Sequence, residues 1–290
     1  MKVLCLIFCL LSASPLNAKV ISENVEELLF GQKIWTFEVE GKAQNYTLKA
    51  RVYPPSFVQV NFWDTKKTPD NLTIFPTIEG AGFIEKALAR YFARRGFWAV
   101  IPIIPELENP FDEHTTQRMD EMYLRVQQSA LVIQEKLQSL NPRGRNFLMG
   151  ASQGGIRSIM SAQALSHIDA IWANVAGGDF PSLYAYSEVD EIRNFRRAHM
   201  NQLNLKDPES YSSYLAQRLQ YDPVKGCELL DSRLSLVVAL EDTSVPTSNQ
   251  MKLLESCQPD KVKKLNSGHF RGVIDLIFHK RDIRKFFEQS

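Results

Sequence analysis

The chain has 290 residues, of which 44% are hydrophobic and 23% are charged. This is the composition of an ordinary globular protein, and the length is sufficient for one large core. The 34 basic and 33 acidic residues leave a net charge of +1. That balance argues against a nucleic-acid or anionic-membrane partner, because proteins that bind such partners carry a marked excess of basic residues.

Residues 1–18 have the pattern of a secretory signal peptide. Lys2 supplies a positive start, and residues 3–11 form an apolar run that is too short to span a bilayer. Ala18 is a suitable last residue before cleavage, although Leu16 is larger than the residue expected two positions earlier. The alternative is a buried N-terminal strand. We expect a mature chain of residues 19–290 that is secreted or periplasmic and has no stable membrane anchor.

The first part of the mature chain has strand patterns. Residues 34–40 and 46–53 both alternate apolar and polar side chains, which predicts an antiparallel hairpin. Residues 57–62 suit an additional edge strand.

From residue 71 onward, strand and helix patterns alternate strictly. This order predicts an α/β fold, with a mostly parallel central sheet flanked by helices on both faces. The segment at 177–226 is irregular, with helical stretches near 187–200 and 208–220. The other expected strands are 71–78, 97–104, 147–149, 168–176, 234–240 and 261–265, and the other expected helices are 83–95, 117–140, 153–165, 247–257 and 271–288.

A serine lies at a sharp turn between a strand and a helix. Ser152 stands in the pattern G-x-S-x-G, with Gly150 two residues before it and Gly154 two residues after it. A serine that acts as a nucleophile must be held away from the backbone, and the tight turn that does this crowds the positions of the two glycines. The backbone N–H of Gln153 begins the following helix, so it is placed to stabilise an oxyanion.

A histidine follows the last expected strand. Of the five histidines, only His269 comes directly after a late strand, the one at 261–265, with small residues before it. Ligands of a parallel sheet bind beyond the carboxyl ends of its strands. We therefore predict that His269 removes the proton of Ser152, the alternative being a histidine in a surface loop.

An acidic residue is expected to orient this histidine. Asp242 follows the strand at 234–240, and the chain order Ser152, Asp242, His269 is that of an α/β-hydrolase. Two other carboxylates remain open as alternatives. Glu241 is the neighbour of Asp242, and Asp179 ends the preceding strand region.

The second oxyanion donor should come from the loop after the strand at 71–78. Gly80, Ala81 and Gly82 lie there, and glycines allow the backbone to approach a substrate closely. We predict the N–H of Ala81 as the donor, with that of Gly82 as the second choice. The alternative is an ordinary turn.

Two cysteines remain after removal of the signal segment, which contains Cys5 and Cys9. An even number in an exported protein predicts a disulfide between Cys227 and Cys257. The alternative is a pair of buried free thiols.

From residue 71 to the end, the chain resembles α/β-hydrolases of the dienelactone hydrolase and serine-esterase type. The matching segments are residues 80–82 (Gly-Ala-Gly), 150–154 (Gly-Ala-Ser-Gln-Gly), 222–223 (Asp-Pro), 241–246 and 267–269 (Ser-Gly-His). The resemblance implies that residues 177–226 form a small lid or cap insertion. Members usually have a histidine where Glu79 stands, and a G-x-x-D pattern where Leu240 and Glu241 precede Asp242.

The sequence predicts a secreted serine hydrolase that cleaves small-molecule carboxylic esters through an acyl-enzyme. A peptidase or thioesterase with the same triad, and a non-catalytic binding protein on the same fold, are the alternatives. The spacing of histidine and cysteine residues indicates no metal, and no dinucleotide or phosphate-loop pattern occurs, so no cofactor is expected. Oligomeric state is not encoded in these patterns.

Overall fold

The computed structural model describes residues 18–41, 45–56, 68–77, 80–104 and 114–290. Most of the expected signal peptide, the expected edge strand at 57–62 and Glu79 lie outside these ranges. Within them, no helix combines the length and the apolar character needed to cross a bilayer.

Nine strands form one sheet in the described part of the chain, in the order β1-β2-β3-β5-β4-β6-β7-β8-β9. The pairs among β1, β2, β3 and β5 are antiparallel, and all pairs from β5 through β4 to β9 are parallel. This confirms the hairpin and the mostly parallel sheet. The strands are β1 (Lys19–Glu27), β2 (Lys33–Glu40), β3 (Tyr46–Tyr53), β4 (Asp70–Phe75), β5 (Phe97–Ile103), β6 (Asn146–Ala151), β7 (Ala170–Asn174), β8 (Arg233–Ala239) and β9 (Lys261–Leu265).

Helices cover both faces of this sheet. The α-helices are α1 (Phe83–Ala93), α2 (Thr115–Leu140), α3 (Gln153–Ala164), α4 (Phe180–Tyr186), α5 (Asp190–Gln202), α6 (Pro208–Ala216), α7 (Thr247–Cys257), α8 (His269–Phe278) and α9 (Lys280–Glu288). Side chains of α1, α8 and α9 share one apolar core with the sheet, and those of α2, α3, α4, α6 and α7 share another. Strands β4, β6 and β7 are buried along their whole length because helices cover them on both sides.

The expected helix at 271–288 is wrong in one respect, since it consists of two helices. The chain leaves the helical conformation at His279, whose φ and ψ are −101° and 15°. The imidazole of His279 contacts a carboxylate on each side, with Nδ1 2.9 Å from Asp282 and Nε2 3.3 Å from Asp275. Both helices keep an apolar face toward the core, so the spacing of apolar residues does not reveal the break.

Two further elements have no clear sequence pattern. Strand β1 is exposed along its whole length, so it lacks the alternation that marks a half-buried strand. Helix α4 lies in the segment expected to be irregular, and it begins with a proline in its first turn. The segment from 177 to 226 therefore contains α4, α5 and α6 between β7 and β8.

Candidate active site

Ser152 occupies the turn between β6 and α3 with an unusual backbone conformation. Its φ is 53° and its ψ is −126°, in a region that residues other than glycine rarely adopt. A Cβ at Gly150 would lie 2.3 Å from the carbonyl carbon of Gly154. Glycine is thus required at position 150 by the close approach of backbone to backbone, as the nucleophile-elbow pattern predicts.

The same turn contacts the end of β4. A Cβ at Gly154 would lie 2.2 Å from the carbonyl oxygen of Phe75 and 2.9 Å from that of Pro76. The loop that contains Ala81 begins directly after these residues. The turn at Ser152 and the expected oxyanion loop are therefore packed against each other at the carboxyl edge of the sheet.

Asp242 and His269 are in direct contact at this edge. Oδ2 of Asp242 lies 2.7 Å from Nδ1 of His269. Asp242 follows β8, and His269 follows β9 and is the first residue of α8. With Nδ1 facing the carboxylate, Nε2 is the ring nitrogen that remains for exchange of a proton with another group.

The Asp242 carboxylate is buried, and its oxygens are fixed by other donors. Oδ1 accepts the backbone N–H groups of Ser244 at 2.9 Å and Val245 at 3.0 Å, and Oδ2 also accepts Nε2 of Gln250 at 2.8 Å. These bonds leave the carboxylate one orientation, with Oδ2 directed at the imidazole. Such support is typical of the acid that holds a catalytic histidine.

The other two candidate acids have different positions. The side chain of Glu241 is exposed. Asp179 binds Lys252, with 2.6 Å between Oδ2 and Nζ. Among the three carboxylates, Asp242 is the one that the structure places against His269.

Among the described residues of the expected oxyanion loop, one backbone donor is free. The N–H of Gly80 donates to the carbonyl of Thr77 at 3.0 Å, and the N–H of Gly82 donates to Oε2 of Glu85 at 2.9 Å. The N–H of Ala81 has no hydrogen-bond partner among the residues that the structure describes. This pattern favours Ala81 over Gly82 as the second donor.

Glu85 is a supporting residue that the sequence reasoning missed. Its carboxylate is buried in the first turn of α1 and accepts from Gly82 at 2.9 Å and from the N–H of Thr77 at 3.4 Å. The Glu85 carboxylate therefore holds both ends of the loop that contains Ala81 by hydrogen bonds. An acidic residue three positions after a helix start is a capping signal that could have identified it.

Asn174 is a second residue that was missed. Its side chain is fully buried at the end of β7, where Oδ1 accepts Nε1 of Trp172 at 2.8 Å. Its Nδ2 donates to the carbonyl of Gly272 in α8 at 2.9 Å, and its own carbonyl accepts the N–H of Ser152 at 2.8 Å. Asn174 thus connects the serine turn to the helix that begins with His269. The sequence feature that could have identified Asn174 is a polar residue within an otherwise apolar strand pattern.

Gln250 is the third supporting residue that was not predicted from the sequence. It is buried in α7, where Nε2 donates to Asp242 and to the carbonyl of Val245, and Oε1 accepts the N–H of Ala239 at 3.0 Å. No sequence signal separates this glutamine from the many that lie on helix surfaces.

The insertion between β7 and β8 is held by a buried carboxylate. Asp222 accepts the backbone N–H groups of Asp179 at 3.0 Å and Phe180 at 2.6 Å, at the start of α4. Burial raises the pKa of Asp222, and the hydrogen bonds from the N–H groups of Val224, Phe180 and Asp179 act in the opposite direction. The Asp-Pro pair at residues 222–223, which is part of the resemblance to α/β-hydrolases, therefore caps a helix of the insertion.

The aromatic side chains of α4 divide between core and surface. Phe180 is buried and stacks on Tyr123 with ring centroids 4.6 Å apart, and the hydroxyl of Tyr184 lies 2.9 Å from that of Tyr123. Tyr186 is 42% exposed and donates to Glu209. Phe180 and Tyr184 thus pack the insertion against α2.

Two cysteines are joined beside the insertion. Cys227 and Cys257 form a disulfide with a Cα–Cα distance of 4.6 Å. The bond links the segment after the insertion to the end of α7, the helix that carries Gln250. Among the described residues, no group of three or more histidine, cysteine, aspartate or glutamate side chains could hold a metal ion.

The order of the strands, the serine turn after β6 and the Asp–His pair after β8 and β9 define the α/β-hydrolase fold. This confirms the fold that the sequence predicts. No family model and no curated protein sequence matches the chain.

Solved structures share this fold. An acetyl xylan esterase from Paenibacillus sp. R4 is 17% identical, with a TM-score of 0.65 over 95% of this chain and 89% of that chain. An acetyl xylan esterase from Thermoanaerobacterium sp. JW/SL YS485 is 18% identical, with a TM-score of 0.62 over 91% and 86%. The acylaminoacyl peptidase of Pyrococcus horikoshii is 14% identical, with a TM-score of 0.60 over 93% of this chain but 49% of that chain.

Proposed function

We propose that the protein is a secreted or periplasmic serine hydrolase that cleaves carboxylic esters. The observation that carries the proposal is the combination of a strained serine turn with a buried aspartate that is bonded to a half-buried histidine at the same edge of the sheet. Strained backbone conformations cluster at functional sites, and this one exposes a serine where a nucleophile is required.

We propose the following roles. Oγ of Ser152 attacks the ester carbonyl while Nε2 of His269 accepts its proton, and Asp242 stabilises the imidazolium that forms. The N–H groups of Gln153 and Ala81 bind the negative oxygen of the tetrahedral intermediate. His269 then protonates the leaving alcohol, and water attacks the acyl-enzyme by the same steps in reverse.

Two acetyl xylan esterases are the structural neighbours that support an ester as the substrate. The acetyl xylan esterases match this chain over most of both lengths. The acylaminoacyl peptidase is about twice as long as the part that matches. The small-molecule ester is the substrate class that we propose, by analogy with the two esterases.

The test is a comparison of acyl substrates with wild type and Ser152→Ala. We expect wild type to hydrolyse an activated acetyl ester, and the variant to lose this activity by about 1,000-fold or more while it remains folded. Matched acetyl amides and thioesters separate the alternatives, since an esterase prefers the oxygen ester. Wild-type rates in Ser152→Ala would contradict the assignment of the nucleophile.

A further inference from the structure

A groove of about 480 Å³ lies between the exposed face of α1 and the junction of α8 with α9. Five basic residues line it, and no acidic residue does so. They are Arg90, Arg94, Arg95, Lys280 and Arg281. None of the five forms an ion pair with any residue in the described ranges. The nearly neutral total charge of the chain therefore conceals a local concentration of positive charge.

The helix dipoles explain the positions of only some of these five basic residues. Arg90, Arg94 and Arg95 lie at the C-terminal end of α1, where the helix dipole favours positive charge. Lys280 and Arg281 are the first two residues of α9, where the dipole disfavours positive charge. Stabilisation of the helices thus does not explain why both groups face the same groove.

The cations also converge at short range. The guanidinium carbon of Arg95 lies 3.6 Å from the centroid of the Tyr91 ring, and Nζ of Lys280 lies 5.2 Å from the same centroid. The ring attracts each cation, but the two cations repel each other. An anion in the groove would convert this repulsion into attraction.

One end of the groove is adjacent in the chain to the expected oxyanion loop. Phe83 lines that end and directly follows the oxyanion loop, at the first position of α1. Phe83 is 77% exposed, and Phe270, directly after His269, is 76% exposed. Because α1 rises about 1.5 Å per residue, Arg94 lies about 16 Å along the helix from Phe83.

We infer that this groove binds an acidic polysaccharide and that the catalytic serine cleaves esters carried by that polymer. The inference rests on the proposed function. Carboxylates along the polymer would contact the five cations, and the unit that bears the ester would lie beyond Phe83 at Ser152. A polymer of sugars also provides apolar ring faces that suit exposed phenylalanine side chains.

Other anionic polymers fit the groove less well. A single-stranded nucleic acid needs several free aromatic faces for its bases, whereas the guanidinium of Arg95 covers the Tyr91 ring. A lipid surface is flat and contacts protruding side chains, whereas these cations line a concavity. An acidic peptide has amide bonds along its backbone, whereas the site is proposed to cleave esters.

The binding test uses polygalacturonate as the probe. The combined variant Arg90→Gln/Arg94→Gln/Arg281→Gln removes three exposed cations from the groove. The control variant Arg143→Gln/Lys206→Gln/Lys264→Gln removes three exposed cations elsewhere and changes the net charge equally. We expect the groove variant to bind about tenfold more weakly and the control to bind like wild type, with wild-type binding weakened by salt.

The kinetic test uses acetylated polygalacturonate and a small neutral acetyl ester. The groove variant should raise KM for the polymer about tenfold without a change in kcat, and it should leave both constants for the small ester unchanged. Thermal unfolding checks that both variants remain folded.

Three results would overturn the inference. One is equal loss of polygalacturonate binding in the groove and control variants. Another is that phosphatidylglycerol vesicles bind wild type but not the groove variant, while polygalacturonate does not bind wild type. The third is an unchanged KM for the polymer. If the small ester is not hydrolysed at all, the proposed function fails instead, and the binding comparison still decides whether the groove holds the polymer.

Discussion

Ser152 and Val175 store backbone strain on two adjacent strand ends. Their φ values are 53° and 45°, and each such conformation costs on the order of 1–3 kcal/mol. For a β-branched residue such as Val175 this conformation is a marked exception. A Cβ at Gly272 would lie 2.2 Å from Cγ1 of Val175, so α8 approaches β7 as closely as glycine permits. The strain therefore accompanies a close fit between the serine turn and the helix of His269.

Asn174 is expected to position His269 relative to Ser152. In Asn174→Ala, the carbonyl of Gly272 loses its donor, so α8 can shift relative to the serine turn. We expect kcat for a small ester to fall about 10- to 100-fold with little change in KM, because misplacement of a catalytic group by about 1 Å has an effect of this size.

Asn71 supplies the control for this prediction. It is also buried, but it lies near the amino end of β4, where its side chain bonds to Asn146 and Asn141. Asn71→Ala should lower the melting temperature and leave kcat of the folded enzyme near the wild-type value. An equal loss of kcat in the two variants would mean that Asn174 acts only through general stability.

Glu85 is expected to hold the oxyanion loop. Glu85→Ala removes the acceptor of the Gly82 and Thr77 N–H groups, so the loop should lose its fixed orientation. We expect kcat to fall by about 100-fold, comparable to the loss of one oxyanion donor. Glu85→Gln keeps one side-chain oxygen and should restore part of the activity. Full activity in Glu85→Ala would show that the Ala81 N–H is positioned by other contacts.

Residues differ in how well the sequence reveals them. Ser152, Asp242 and His269 were predicted because each follows a strand pattern, and strand ends meet at one edge of a parallel sheet. Asn174 and Gln250 were not predicted, because their roles depend on which side chains the folded chain brings into contact. The choice among carboxylates likewise required the contact between Asp242 and His269.

Among helices and strands, patterns of apolar residues predict the elements that have a buried face. They do not predict elements whose position or length is determined by other contacts. The hairpin, the parallel strands and the long helix α2 follow from such patterns. The exposed strand β1 and the break at His279 do not, since pairing with β2 and contacts of the imidazole determine them. The insertion is held by polar contacts as well as apolar packing, and the hydrogen bonds of Asp222 are contacts that a pattern of apolar residues does not reveal.

The insertion contains a buried histidine that should make stability depend on pH. His199 of α5 is 1% exposed, and its Nδ1 lies 3.1 Å from the hydroxyl of Tyr211 in α6. Burial lowers the pKa of His199, and the charge of Arg118 lowers it further. The unfolded chain therefore binds a proton more readily than the folded protein, so stability should fall as the pH decreases below about 6.5.

Thermal unfolding at pH 7.5 and 5.5 tests this expectation (both pH values lie within about one unit of an ordinary histidine pKa). His199→Phe keeps an aromatic ring but cannot be protonated, so its melting temperature should depend less on pH than that of wild type. The control is His167→Asn at an exposed position, which should keep the wild-type dependence. Equal pH dependence in wild type and His199→Phe would contradict the role of His199.

At the scale of the whole molecule, the disulfide links the segment after the insertion to the sheet-covering helix α7. It closes a loop with a sequence separation of 30 residues. The chain-entropy model assigns such a bond about 3–4 kcal/mol. We expect the double variant Cys227→Ser/Cys257→Ser to lose a free energy of unfolding of this order, measured by urea denaturation of both proteins without reductant.

Reductant provides the internal comparison. It should lower the stability of wild type to that of the double variant and leave the variant unchanged. If two thiols of the unfolded wild type react with a labelling reagent in the absence of reductant, the bond does not form in the native protein.

The whole molecule thus combines a predicted fold with a site whose support was not predictable. Total charge argued against a nucleic-acid or anionic-membrane partner, yet five cations of the folded chain line one groove. Charge summed over a sequence contains no information about which helices become neighbours. The fold was accessible because strand order and helix coverage follow from local patterns, whereas the groove depends on the packing of α1 beside α8 and α9.

The central claim is that Ser152 is an activated nucleophile. The most direct measurement is the reaction of the folded protein with a fluorophosphonate, followed by peptide mapping of the adduct. We predict a single adduct on Ser152 that is lost in Ser152→Ala and forms much more slowly in His269→Ala. Absence of an adduct on the folded protein, or an adduct on another residue, would contradict the claim and favour a binding protein built on the same fold.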